Sequence, residues 1–314
     1  MTILNPVALF HLGMAAGVAY TSGGCFYPVL RMRKVVRLLG LILCESIILL
    51  SPLLIPSDMP FRRLVASILA VRVAVSVYDL YADATQRTGP GPIAFIISLF
   101  HPFVLVWRRV LTEPRGSFTQ NLTKFAVNCT VGIIAAGLFA ATFFVPWQQY
   151  PFILEYCCKV IGFFLMVQFL PNGIAAFCRL IGIPATDFAG NFFLARTPAE
   201  FWRRYNRPTN QFLHEHVFKP AGGRQHPIRA MLLVFLFSGV MHEYVFDIAA
   251  PSIMGFQLLL FTIHGVAVVL TARLRPVGWK AAPAVLATFA FNLITAWLFF
   301  HCLDATVPFF VRRG

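Results

Sequence analysis

Runs of about 20 apolar residues, the length needed to cross a hydrocarbon core, recur along this 314-residue chain. They constrain its fold more than any other feature. We place spans near 5–22, 38–56, 64–82, 125–146, 152–171, 229–250, 254–272 and 283–303. Composition agrees. The chain is 58% apolar and 12% charged, with 33 phenylalanines, whereas soluble domains run at about 45–50% apolar and about 25% charged. A soluble fold would have to expose a large apolar patch to accommodate this. The runs therefore predict an all-α, polytopic membrane bundle of about eight or nine helices, forming one integral membrane domain over 1–314.

Two segments need separate treatment. Residues 172–182 continue an apolar run past Pro171. Residues 92–107, "PIAFIISLFHPFVLVW", are short and contain Pro102. Positive charge arbitrates, because basic loops collect on the cytosolic side. Arg31, Arg33, Lys34 and Arg37 lie in loop 23–37. Arg108, Arg109, Arg115 and Lys124 lie in loop 108–124. Connection 179–229 holds eight basic residues, and loop 273–282 holds Arg273, Arg275 and Lys280. All four share a side only if 92–107 enters and leaves by one face, so we expect a re-entrant or broken helix there. Arg62, Arg63, Arg312 and Arg313 fall on the opposite side, with both termini.

The net charge of +14 is thus read as loops facing anionic lipid or an anionic substrate, not nucleic acid. The N-terminus lacks a basic signal-peptide region and is read as a first span. Seven cysteines without CxxC spacing are expected as small buried hydrophobes rather than disulfides. Sequons at Asn121 and Asn128 fall on the cytosolic side and within a span, so neither is expected to carry a glycan.

Ionisable residues at membrane depth are costly and face a bundle interior or wet cavity. Glu45, Arg72, Asp79, Glu155, Lys159 and the run "SGVMHEYVFD" at 238–247 qualify. Arg72 and Asp79 lie two turns apart on one face. Glu155 and Lys159 stand at i,i+4 in the favourable order. Both pairs read as structural contacts. His242 and Glu243 sit inside an apolar run, with Ser238 one turn before the histidine. The HExxH zinc pattern is incomplete because Phe246 stands where a second histidine belongs, so no metal is expected.

One long polar stretch remains, "FWRRYNRPTNQFLHEHVFKP" at 201–220. Its Phe201, Trp202, Tyr205, Asn206, Pro208, His216, Phe218, Lys219 and Pro220 resemble a pattern of the membrane-bound O-acyltransferase family. "SGVMHEYVFD" is similar to that family's Ser-Gly-x-x-His-Glu helix. "LLLFTIHGVAVVL" at 258–270 is similar to a Phe-x-x-His-Gly segment of its wax-synthase-like branch. The chain is short for the sterol and diacylglycerol branch, and it has Arg-Tyr-Asn where Arg-Trp-Asn is common.

The resemblance implies acyl transfer from acyl-CoA to a long-chain alcohol or sterol, giving a wax or sterol ester. It also implies a role in lipid metabolism, and an endoplasmic reticulum location in a eukaryote or the inner membrane in a bacterium. By resemblance His242 and Asn206 are the catalytic candidates. A histidine with an unperturbed pKa of about 6.5 can accept an alcohol's proton. The Asn206 amide can donate to a developing oxyanion or orient His242 or the substrate, and as local structure it reads as a helix cap or turn residue before Pro208. Trp202, Arg203, Arg204, Tyr205, Arg207, His216, Lys219, Glu243 and His264 are the substrate-binding candidates. The arginines, Lys219 and Arg224 suit CoA phosphates. Phe235, Phe237, Phe261 and Trp297 suit an apolar tunnel beside His242. The expected partners are acyl-CoA as co-substrate, a hydrophobic alcohol and the lipid bilayer, with no bound cofactor. Alternatives are an acetyltransferase acting on a terpenoid or similar metabolite, a transporter or channel, and an inactive lipid-binding relative. No inverted repeat supports the transporter.

Overall fold

A computed structural model describes residues 6–86, 90–112, 116–250 and 252–311. Of the basic residues used above to assign sides, Arg115, Arg312 and Arg313 lie outside this set. The described residues form helices and loops with no strand. In chain order the helices are α1 Pro6–Val29, α2 Lys34–Leu50, α3 Pro60–Gln86, α4 Pro92–Phe100, α5 Trp107–Thr112 and α6 Phe118–Ala141. Then follow α7 Phe152–Leu180, α8 Pro198–Arg204, α9 Arg207–Leu213, α10 Pro227–Ala249, α11 Phe256–Thr271 and α12 Ala281–Thr306.

Each of the eight apolar runs has its helix. Among the described residues, six helical stretches are both long and apolar enough to cross a membrane. The remaining two runs are α1, with 24 residues, and α11, with 16. Residues 172–182 are not a separate element, because α7 runs through Pro171 to Leu180.

The segment at 92–107 is broken, as the charge count requires. α4 is only 9 residues long, and His101, the residue before Pro102, is extended with ψ 119°. A proline ring disfavours helical backbone at the preceding residue, so the helix stops there. Two charged residues on α3 hold the break open, and this corrects their expected structural contact. Arg72 and Asp79 do not pair with each other. The Arg72 guanidinium donates to the carbonyls of Ser98 (2.7 Å) and His101, and to the Ser76 hydroxyl. Asp79 accepts from the Trp107 backbone N–H at 3.1 Å. Buried carbonyls released by the break thus find a cation, and the restart at α5 finds a carboxylate.

These contacts also order the ends of the bundle. Arg37 at the start of α2 donates to the carbonyl of Ala84 near the end of α3, at 3.0 Å. Asp79, just below, binds both Trp107 and His216. Arg37, Arg108 and the polar stretch therefore gather at one end. At the opposite end, Arg63 reaches the Ile55 and Ile248 carbonyls. There, too, Lys159 and Glu155 form the expected pair at 2.8 Å, both fully buried. The pair grips the chain after α12, with Lys159 donating to the Phe309 carbonyl and Val311 N–H donating to Glu155.

Close helix approach depends on glycine. A Cβ at Gly265 on α11 would lie 2.9 Å from Phe235 Cβ on α10, and one at Gly239 on α10 would lie 3.2 Å from Phe261 Cβ. The glycines of the Ser-Gly and His-Gly motifs therefore pack α10 against α11. All seven cysteines are free, but only Cys44 and Cys302 are buried. Asn121 is buried against Arg179, and the Asn128 amide bonds to the Lys124 carbonyl, so both sequons lie on hydrogen-bonded asparagines.

Candidate active site

The site forms where α10 passes the short helices α8 and α9. His242 lies on α10. Its Nδ1 is 2.8 Å from the Ser238 carbonyl oxygen one turn earlier. A carbonyl only accepts, so Nδ1 carries the proton and donates, leaving Nε2 with a lone pair. The ring lies against Phe261, with centroids 4.4 Å apart.

Asn206 separates α8 from α9. Its φ is +45°, the left-handed region, where asparagine is one of the few tolerated side chains. The side-chain oxygen caps α9 by accepting from Thr209 N–H at 3.3 Å. Pro208 follows inside the first turn, where its missing N–H costs nothing. Capping occupies the Asn206 oxygen, so the amide N–H groups take no part in the cap.

Two cavities meet at these two residues, and a third adjoins the first. A chamber of about 310 Å³ is lined by Trp202, Tyr205, Asn206, Phe235, His242, Phe261 and His264, among others. A more apolar cavity of about 490 Å³ runs between α3, α10 and the broken segment, lined by Arg72, Phe103, Phe188, Phe237, Asn206 and His242. Ile68 and Phe237 on its wall are exposed on the outer face of the bundle. His242, Asn206, Thr209 and Ser238 border both spaces. A third cleft, about 480 Å³, lies at the polar end between Arg109, Arg203, Arg207 and His214, and shares Arg203, Asn210 and Phe235 with the first chamber.

The other candidates divide. Trp202, Arg203, Tyr205 and His264 line the 310 Å³ chamber, and Arg207 lines the basic cleft. His216 lies apart, its Nε2–H donating to Asp79 at 2.7 Å beneath Tyr78 and Phe212. Lys219 is bound to Glu215 at 2.8 Å. Arg204 is tied to Glu200 at 2.6 Å and to the Asn191 carbonyl. Glu243 accepts from Gly255 and Leu258 N–H at 2.6 and 2.9 Å, so it caps the start of α11. Trp297 packs on Phe152 and Tyr156 and lines none of these spaces, whereas Phe235, Phe237 and Phe261 do.

Sequence reasoning read Arg72 mainly as a structural partner of Asp79, not as a residue beside His242, and it overlooked Glu215. That carboxylate gathers Arg108 (2.9 Å), Arg109 and Lys219 at the basic cleft. Burial alone would raise the Glu215 carboxyl, but hydrogen bonds and charge from Lys219 and Arg109 hold it down at about 2. Lys219, one turn on at i,i+4, was a legible partner; the arginines more than 100 residues away were not. No group of three or more His, Cys, Asp or Glu side chains able to hold a metal occurs among the described residues.

Residues 93–307 match the family described as MBOAT, membrane-bound O-acyltransferase. The chain belongs to that family. The matched region begins at the broken segment and contains α4 to α12, so every residue that borders two cavities lies inside it. Among individual proteins, the chain is 30% identical over 122 residues to "Probable sterol O-acyltransferase 1" of Schizosaccharomyces pombe. That similarity covers 37% of this chain and only 22% of the fission-yeast protein.

Proposed function

We propose that this membrane protein is an acyl-CoA:alcohol O-acyltransferase of the wax-synthase-like branch, making a wax or sterol ester. The supporting observation is that His242 and Asn206 border two different cavities at once. A group-transfer enzyme needs its reacting groups where two substrates meet.

The 310 Å³ chamber opens toward the basic cleft, so it takes the acyl group while Arg109, Arg203 and Arg207 meet the CoA phosphates. The alcohol enters the 490 Å³ cavity from the bilayer. His242 Nε2 accepts the hydroxyl proton as the oxygen attacks the thioester carbonyl. Asn206 N–H donates to the oxyanion that develops. Collapse breaks the C–S bond, and the CoA thiolate takes the proton back from His242, leaving ester and CoA. Acyl-CoA is a co-substrate, and no resident cofactor enters these steps. The reaction takes place in the endoplasmic reticulum membrane of a eukaryotic cell, or the inner membrane of a bacterium.

An acetyltransferase acting on a terpenoid would use the same residues, and the acyl chain separates the two. Purified protein given labelled acyl-CoAs of graded length with long-chain alcohols, sterols and terpenoid alcohols should form ester with a long-chain pair. His242→Ala should lower turnover by ~10²–10⁴ fold. Ester formed only from acetyl-CoA would move the assignment to the acetyltransferase. No ester from any pair would remove the enzyme reading.

A further inference from the structure

His264 was a substrate-binding candidate, but both its ring nitrogens are already engaged within the protein. The Trp202 indole N–H lies 2.9 Å from His264 Nδ1. An indole nitrogen only donates, so Nδ1 is unprotonated and the ring proton is on Nε2. That Nε2–H donates to Thr295 Oγ1 at 2.8 Å, and the Thr295 hydroxyl donates to the Phe291 carbonyl at 2.8 Å. The chain of bonds is directional and complete. It joins α8, α11 and α12, and His264 is buried at 4% exposure. A histidine so placed has no lone pair to accept a substrate proton.

Its effect falls on Trp202. The indole is held edge-on to Phe235 (5.4 Å, 86°) and to His264 (5.3 Å, 84°). It also touches Phe261 at 5.6 Å, the ring that carries His242 on its face. The backbone beneath is tied as well: the Asn210 amide donates to the carbonyls of Trp202 and Tyr205. A large flat side chain on a helix of only 7 residues is thereby fixed as one wall of the 310 Å³ chamber.

We infer that His264 is a positioning residue. Through the Trp202–His264–Thr295 chain it fixes the indole wall that selects the length of the acyl group. This rests on the reading of that chamber as the acyl site. A fixed wall discriminates because extra methylenes have no room and missing ones leave a void; each methylene is worth ~10-fold or more in selectivity. A loose indole swings aside and the discrimination fades.

The test compares wild type with His264→Phe, His264→Asn and Thr295→Val. Asparagine retains an acceptor in place of Nδ1, and Thr295→Val is a milder change should His264→Phe fold poorly. Two readouts are taken for acetyl-, octanoyl- and palmitoyl-CoA: kcat/KM with one alcohol, and the rise in melting temperature on binding. In wild type both should favour one length. His264→Phe should flatten that preference by ~10-fold, Thr295→Val should do so in part, and His264→Asn should restore it. The indole N–H resonance of Trp202 should move in His264→Phe and return in His264→Asn.

An equal loss at every chain length, with the preference unchanged, would overturn the inference. So would a shifted pH–rate profile in His264→Asn, which would mark His264 as an acid or base. If wild type forms no ester but its stabilisation still depends on chain length and flattens in His264→Phe, the wall stands and the reaction assignment alone falls. Stabilisation independent of length in wild type overturns the wall whatever turnover shows.

Discussion

At the scale of single residues, the site depends on two side chains whose local chemistry is already set. Ser238 fixes the His242 tautomer, and the left-handed backbone at Asn206 lets its side-chain oxygen cap α9. Asn206 caps α9 and is our proposed oxyanion donor, and the two roles can be separated. Glycine accepts φ +45° freely and costs only a few tenths of a kcal/mol at a cap. Asn206→Gly should therefore leave the melting temperature almost unchanged while lowering turnover ~10²–10³ fold. Asn206→Ala should add a stability loss of about 1–2 kcal/mol from backbone strain. Equal turnover in Asn206→Gly and wild type would dismiss the donor role.

Residue type marked His242 as unusual within an oily run, but its pairing with Asn206 came from the resemblance of their motifs to the acyltransferase family. Their neighbours were less legible. Arg204, His216, Lys219 and Glu243 share motifs with the site residues, yet they bond to Glu200, Asp79, Glu215 and the α11 backbone. Sequence spacing says which residues travel together, whereas the direction of each side chain depends on partners from other elements.

At the scale of elements, the broken segment carries the most information. Its charge-based expectation agreed with the structure because Pro102 and the basic loops both argue against one spanning helix. The clamp that stabilises the break did not show in the sequence, since Arg72 and Asp79 look like an ordinary helical pair. Arg72→Met should release the carbonyls of Ser98 and His101 and lower stability by on the order of 3 kcal/mol, read by thermal melting in detergent. Because Arg72 and Phe103 also line the 490 Å³ cavity, the KM for the alcohol should rise more than the KM for acyl-CoA. A change confined to the acyl-CoA KM would contradict that assignment of the cavities. The glycines beside His242 and His264 act at this scale too. They read as parts of catalytic motifs, yet their immediate work is to let α10 and α11 touch.

For the whole molecule, sidedness and charge are linked. Arg37 and Arg108 share one end of the bundle. Single cysteines placed there should react with an impermeant thiol reagent from the same side of sealed vesicles. Opposite labelling would exclude the re-entrant path. At that end Glu215 offsets three cations. Its folded carboxyl sits near 2, below the ordinary value of about 4.3. A depressed carboxyl stabilises the fold above its unfolded pKa and loses that contribution as pH falls through the folded one. The melting temperature of Glu215→Gln should lie below wild type by a constant amount above about pH 5, and the two should converge toward about pH 2. Lys219 and Arg109 are half in water, which keeps the difference to about 1–2 kcal/mol. A difference that widens on acidification would refute the assignment.

Resemblance of motifs, not any local rule, joined His242 and Asn206, whereas the amino-acid sequence by itself determined that this chain is a helical membrane bundle, where its spans lie and which segment breaks. Those properties follow from apolar length, charge asymmetry and local backbone preference, all encoded over a few turns of chain. Only the tertiary structure decided that two cavities meet at those residues, that Glu215 gathers distant arginines, and that His264 holds Trp202. Such contacts join positions tens to more than a hundred residues apart. Their geometry depends on how helices pack, and no local pattern records it.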